Sequence, residues 1–355
     1  MFLSNVIQGN SNYDNALIER FVGDTQVLFG KCPDHSVELQ IVGNSRLGRE
    51  IYAYILGSGS HRVSITAGAH ADEPVGPITA TLLPLLLGNA FPALLKHFTF
   101  YVIPNVNPDG TQQNLAWCDT SAPVYDFKQY FRYRVRELPG DDVEYNYGDS
   151  LASRPENQAA MNFFHSYAPY CAHFSLHGMA LAEGAWFLIC QDWVKRATSL
   201  MQQLSRLCET LAFPLHDMER RGEKGFHRIQ SGFCTTPTST AMREFFLARN
   251  EPDIASRFLP SSMEYIASLG GDPLCMVSEI PLFQLRASED PIQQSNFQSC
   301  LEDLRSFQQD ASDDALDRLV DRFDIKAVPK LSHIRLQFGM IVLALESLAK
   351  SWNTA

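Results

Sequence analysis

A histidine three residues before a glutamate can chelate a metal ion, and the chain carries that spacing three times: His35–Glu38, His70–Glu73 and His216–Glu219. With 10 histidines and 40 acidic residues among 355, about one such pair is expected by chance, so context must separate them. His35 lies where a strand begins, and alternation sends its side chain and that of Glu38 to opposite faces. His216 lies in a polar, weakly periodic stretch. His70 differs. It ends an apolar strand-like run, RVSITAGAH, and Pro74 and Pro77 follow where a helix opens. Gly68 gives the turn backbone freedom. Strand ends in open α/β sheets are where ligand sites form. A catalytic zinc takes three protein ligands and keeps one position open. The third candidate is His177, at the end of a second strand-like run, AHFSLHG. His173, inside that run, reads as a core histidine.

The elements that must position these residues follow from periodicity. Strands are expected at 36–43, 49–57, 62–70, 98–106, 172–178, 185–190 and 274–280, and helices at 77–87, 155–167, 192–211 and 261–269. Alternation of the two predicts a sheet flanked by helices. From about 287 the pattern is only helical. Residues 1–286 are therefore expected to form the catalytic domain, and 287–355 a helical extension packed on it. Residues 213–260 read as an ordered loop excursion.

Composition narrows the functional classes. Of the residues, 45% are hydrophobic and 19% charged, which excludes a disordered chain. The net charge of −11 disfavours a nucleic-acid partner. The most apolar stretch, 78–95, is broken by Pro84 and Pro92 and is a poor membrane span. Eight cysteines without a C-x-x-C pair argue against a cysteine metal site and for free thiols in a reducing, cytoplasmic setting. The first residues, MFLSNVIQGN, show no signal-peptide pattern.

The order of motifs resembles the zinc carboxypeptidase family. VGNSRLGREIYAYILG is similar to its G-x-S-x-x-G-R lead-in, His70-x-x-Glu73-Pro to its metal motif, and PNVNPDG at 104–110 to its turn. RPENQA, SLHG and YIASLGGD follow in the family's order, and the resemblance spans roughly 36–285. It implies a three-layer α/β/α sandwich with a mixed, mostly parallel, eight-stranded sheet. It implies one zinc ion on His70, Glu73 and His177, with Glu279 of VSEIPLF as the catalytic base. It implies Asp142 as the partner of a metal-bound histidine, and an arginine beside the oxyanion. FRYRVRE offers Arg132 first, Arg134 second and Arg136 third. Tyr265 matches a tyrosine on a mobile segment that closes over substrate.

One departure bears on function. The family reads D-x-N-R-N where this chain reads Asp142-Val143-Glu144-Tyr145-Asn146. Tyr145 stands where an arginine grips the substrate's terminal carboxylate, and tyrosine cannot form that charged fork. Tyr145, Glu144 and Asn146 are therefore expected to bind substrate differently. Acidic Asp72 and Glu144, if both line the cleft, favour a cationic substrate. Arg220, Arg221, Arg228 and Arg243 are possible replacements for the clamp. The expected activity is zinc-dependent hydrolysis of a peptide bond with altered end-group recognition. The alternatives are a deacylase of small N-acyl amino acids, akin to desuccinylase and aspartoacylase, and a non-catalytic zinc scaffold.

Overall fold

The structure is a computed structural model and describes residues 37–118, 121–148, 153–290, 295–307 and 311–352. His35 and Cys32 lie outside these residues.

Among the described residues ten strands, where eight were expected, form one mixed sheet in the order β1-β2-β4-β3-β5-β9-β6-β8-β7, with a short β10 beside β9. Its ranges are β1 Val37–Asn44, β2 Glu50–Gly57, β3 His61–Ala67, β4 Phe98–Ile103, β5 Ala172–Ala182, β6 Trp186–Ile189, β7 Arg228–Gln230, β8 Phe233–Thr235, β9 Leu274–Gln284 and β10 Lys326–Ala327. The centre, β4-β3-β5-β9, is parallel, and antiparallel strands flank it. All seven expected strands are present. The extra three are a hairpin, β7–β8, inside the stretch expected to be a loop, and the two-residue β10.

Helices cover both faces, giving three layers. On one face lie α1 (Val75–Ala90), α2 (Pro92–His97), α6 (Thr198–Thr210) and α12 (Lys330–Trp352). On the other lie α5 (Pro155–Ser166) and α9 (Ser262–Ser268). The remaining helices are α3 (Pro108–Gln113), α4 (Phe127–Tyr133), α7 (Ser239–Ala248), α8 (Pro252–Ala255), α10 (Asn296–Ser306) and α11 (Asp313–Phe323). The inner strands are buried on both sides, so they read as nearly continuous apolar runs. Alternation along β5 sends Phe174 and Leu176 into the α1–α12 core and leaves His173, Ser175 and His177 on the opposite face.

Three of the quoted motifs form one knot of hydrogen bonds. Asp109, from PNVNPDG, accepts from Ser45 Oγ at 2.8 Å, Leu47 N at 3.0 Å and Arg49 Nη1 at 2.7 Å, all in the G-x-S-x-x-G-R segment. Glu156 of RPENQA accepts from Arg46 N at 3.0 Å and from Arg154 at 3.3 Å. Asn157 donates to the Val143 carbonyl at 2.6 Å, tying α5 to the segment 142–146.

The C-terminal helices are part of this body. α10 and α11 close over the end of β9 around Phe283, Leu285 and Phe323. α12 is buried in the largest core against α1 and α6. It is the one helix among the described residues that is long and apolar enough to cross a membrane, and most of it is buried within the protein.

Candidate active site

The site is built where β3, β5 and β9 end. After β3 the chain turns through Gly68, whose φ of +73° is a left-handed value and whose Cβ position lies 2.6 Å from Asn105 Oδ1. Glu137 fixes the turn: it accepts from the Ala71 amide at 3.2 Å and from Asn107 Nδ2. The chain then enters α1 through Gly76, which passes so close to the Leu176 carbonyl that a Cβ would lie 2.1 Å from it. This close approach brings the His70–Glu73 turn onto the end of β5, beside His177.

Three ligand groups converge there. His70 Nδ1 lies 2.7 Å from Glu73 Oε1, His177 Nδ1 lies 2.9 Å from Glu73 Oε2, and the two Nδ1 atoms are 3.3 Å apart. Tetrahedral zinc bonds of about 2.0–2.1 Å set ligand atoms roughly 3.3 Å apart. The histidine pair matches that spacing, and the carboxylate contacts are shorter by amounts that small rotations about side-chain bonds remove. The donor set of two imidazoles and one carboxylate is that of the catalytic zinc in carboxypeptidase A. The site's residues therefore fit one zinc ion.

The electrostatics agree. Burial alone would lower the His70 imidazole, but the Glu73 carboxylate outweighs it and raises the group to about 9. His177 moves upward for the same reason, against its own burial. Glu73 is held well below the carboxylate range, because the two imidazoles overcome the effect of burial. A carboxylate and two imidazoles that attract positive charge this strongly suit a cation.

Glu279 stands across the strand pair from His177, in register with it on β9. Neighbours in register share a face, so its carboxylate joins the site. Burial first, then the charge of Glu73, push it up to about 8. Its carboxylate has no hydrogen-bond partner among the described residues.

The arginine expectation is corrected. The segment 127–133 is helical, begun by Asp126 accepting from the Gln129 amide, so Arg132 and Arg134 do not share an extended face. Arg132 turns to Asp313 and the Ala311 carbonyl. Arg134 donates to Tyr130 Oη at 3.1 Å. Only Arg136 faces the cluster: its guanidinium is 3.9 Å from Asp72, and the charges of Asp72, Glu73 and Glu279 raise it against burial.

Other expected residues are placed differently from their sequence roles. Asp142 is pushed up by burial and accepts from the Tyr145 amide at 3.2 Å; no bond joins it to His70. Glu144 does not face a cleft. It is buried, and its Oε2 lies 3.1 Å from His177 Nε2. Asp72 is also buried, accepting from Tyr130 Oη at 2.9 Å. The two acids thus have partners of their own, and the expected attraction for a cationic substrate loses its basis. Asn146 accepts from the Arg154 amide at the start of α5. The Tyr145 ring packs on Phe258 at 5.2 Å. Tyr265 sits half-buried on α9, whose start is fixed by a Ser261–Glu264 capping box, and donates to the Met161 carbonyl at 3.0 Å. That bond joins α9 to α5. His173 is a core histidine, and His216 is buried away from the site against Trp186 and Phe297.

A largely apolar cleft of about 660 Å³ opens beside His70 and Glu73, walled by Leu39, Tyr52, Ile78 and Leu115.

Comparison with known proteins gives the family. The profile described as zinc carboxypeptidase matches residues 26–203, half of the chain, across His70, Glu73 and His177. The chain belongs to the zinc carboxypeptidase family. This hydrolase superposes on a metallo-carboxypeptidase from Burkholderia cenocepacia with a TM-score of 0.52 at 14% identity, over 96% of this chain and 69% of that one. The Pseudomonas aeruginosa metallo-carboxypeptidase, solved with (2-guanidinoethylmercapto)succinic acid, gives 0.51 at 14% identity, over 92% and 68%. Carboxypeptidase A from Helicoverpa armigera gives 0.51 at 12%, over 92% and 71%. At these identities the likeness shows the fold alone. No curated protein matches the chain.

Proposed function

We propose that this zinc carboxypeptidase family member hydrolyses a peptide bond near a chain end, and that it recognises that end without an arginine at the Tyr145 position. The observation that carries the reading is the convergence of His70, Glu73 and His177 beside an unpartnered Glu279. Zinc on those three residues would supply a water of lowered pKa and polarise the scissile carbonyl. Glu279 takes the water's proton and delivers it to the leaving amine; its burial, which raises the carboxyl, favours holding that proton between the two transfers. Arg136 places positive charge beside the developing oxyanion, in the role expected of Arg132.

The end group meets a different cation. Arg228 is locked to Asp217 by two bonds of 2.7 and 2.8 Å, and Arg243 donates to the Phe258 carbonyl at 2.6 Å. Arg220 lies over Phe226 and beside Glu223, and the Arg221 side chain is exposed. Lys224, which the sequence did not single out, lies over the Phe245 and Phe246 rings at 4.7 and 5.7 Å. Its amine has no carboxylate partner among the described residues. Phe246 stacks on Phe258, which holds the Tyr145 ring, so Lys224 belongs to the wall that Tyr145 begins. Burial and then the charge of Arg220 lower Lys224, while the charge of Glu223 opposes them. The free thiols of Cys171, Cys190, Cys208, Cys234, Cys275 and Cys300 fit a cytoplasmic setting.

The test offers the zinc-loaded protein matched peptides with free and amidated C-termini, read by mass spectrometry. Loss of the last residue only from the free-carboxylate peptides is expected. Lys224→Gln is expected to raise KM for them about tenfold, the loss of one ion pair worth roughly 1.4 kcal/mol. Equal cleavage of both sets overturns end-group recognition, and cleavage of small N-acyl amides alone overturns the peptidase reading.

A further inference from the structure

The buried polar groups behind His177 form one continuous chain of hydrogen bonds. Ser64 Oγ lies 2.9 Å from His173 Nδ1, His173 Nε2 lies 3.2 Å from Ser262 Oγ, Ser262 Oγ lies 3.0 Å from Glu144 Oε1, and Glu144 Oε2 lies 3.1 Å from His177 Nε2. Ser175 Oγ adds contacts of 2.9 Å to His177 Nε2 and 3.4 Å to Glu144 Oε2. All these residues are buried.

Counting protons gives the chain a single direction. A carboxylate can only accept, so Ser262 donates to Glu144 and has no proton left for His173. His173 must then donate from Nε2 and accept at Nδ1, from Ser64. Burial keeps His173 neutral, lowering it to about 4, so one ring nitrogen donates and the other accepts. Ser64 has a weaker alternative in the Ala172 carbonyl at 3.4 Å, but that choice would leave His173 Nδ1 without a donor. At the other end the same rule makes His177 Nε2 a donor to Glu144. Once the ring is neutral, as a metal ligand must be, the proton stays on Nε2, and Nδ1, the atom that faces His70 and Glu73, carries the lone pair.

We propose that Glu144 is a positioning residue that fixes the tautomer and orientation of His177 for metal binding, and that Ser262 and His173 in turn fix Glu144. This rests on the reading of His70, Glu73 and His177 as the metal site. It gives Glu144 the task expected of Asp142 and removes it from substrate recognition. Partners of this kind raise ligand basicity, and their loss costs about 10–100-fold in metal affinity.

The test is zinc affinity by chelator competition and the visible spectrum of the cobalt-substituted protein, for the full chain and for Glu144→Gln, Ser262→Ala and Asp142→Asn. Glu144→Gln is expected to weaken zinc about 10–100-fold and to shift the cobalt bands, while the metal-free protein melts within a few degrees of the parent. Ser262→Ala should move both readouts the same way by several-fold, and Asp142→Asn should weaken zinc less than Glu144→Gln. If Glu144→Gln does not fold, Ser262→Ala decides, since it removes one bond and keeps the carboxylate. Parent-like affinity and spectrum in Glu144→Gln, or in a folded Ser262→Ala when Glu144→Gln is lost, overturn the positioning role. A parent chain that takes up no zinc overturns the metal site itself, and with it this proposal.

Discussion

The two histidines of the site are held in different ways. His177 sits on the central strand β5, nearly fully buried, with both ring nitrogens engaged: Nδ1 toward Glu73 and Nε2 toward Glu144 and Ser175. His70 sits on a turn, 17% exposed, and its hydrogen-bond contacts among the described residues run through Nδ1 to Glu73 and His177. The strand-borne ligand is fixed by side chains behind it. The turn-borne ligand is fixed by backbone, through Gly68, the Glu137 bond to Ala71 and the close passage of Gly76. One half of the site is thus part of the core, and the other is presented to the cleft.

That difference can be broken by mutation. His177→Ala and His70→Ala should both abolish stoichiometric zinc binding. Only His177→Ala also strands a buried carboxylate, Glu144, and should cost about 3 kcal/mol of stability in the metal-free protein. His70→Ala should cost less, since its ring is partly in water and Glu73 keeps His177 and the Gly178 amide. Equal losses in denaturant titrations would show that the two halves are not distinct.

A smaller effect concerns pH. The folded His70 is raised to about 9 from 6.5, so its contribution is complete below about 6.5 and fades as pH rises through about 9. Glu73 is depressed, so its contribution is present above about 4.5 and fades only on acidification. The metal-free protein should therefore lose melting temperature between pH 6.5 and 9. Zinc-loaded protein, whose imidazoles are neutral ligands, should hold its melting temperature across that window. Parallel melting curves with and without chelator would contradict the coupling.

The smallest expected effect tests the turn. Glu137→Gln leaves a group that can still accept from Ala71 but weakens the charged bond to Asn107. Zinc affinity should fall by several-fold, less than for Glu144→Gln, if backbone geometry carries most of the load on the His70 side. A larger fall than at Glu144 would reverse the comparison.

Most of the frame was legible in the sequence. The inner strands were readable because they are apolar on both faces and β2 because it alternates, and the motif order was readable because Asp109, Glu156 and their partners are one knot. Other features depend on contacts that spacing does not encode. Arg132, Arg134 and Arg136 looked alike until a short helix over 127–133 turned the first two away. Glu144 read as a substrate contact because nothing local says that His177 Nε2 lies behind its ring. α12 read as an appendage, although its apolar run, HIRLQFGMIVLAL, carried the signal of a buried helix. Lys224 went unmarked among neighbouring arginines, though the left-handed glycines Gly222 and Gly225 around it were a clue to a fixed turn.

The central claim is that Glu279 works as the base beside a metal held by His70, Glu73 and His177. Its most direct test is turnover and zinc content of Glu279→Gln measured on the same sample. The account predicts one zinc per chain, as in the parent, with peptide hydrolysis reduced about 10²–10⁴-fold. Parent-like turnover in a variant that keeps its zinc would contradict it.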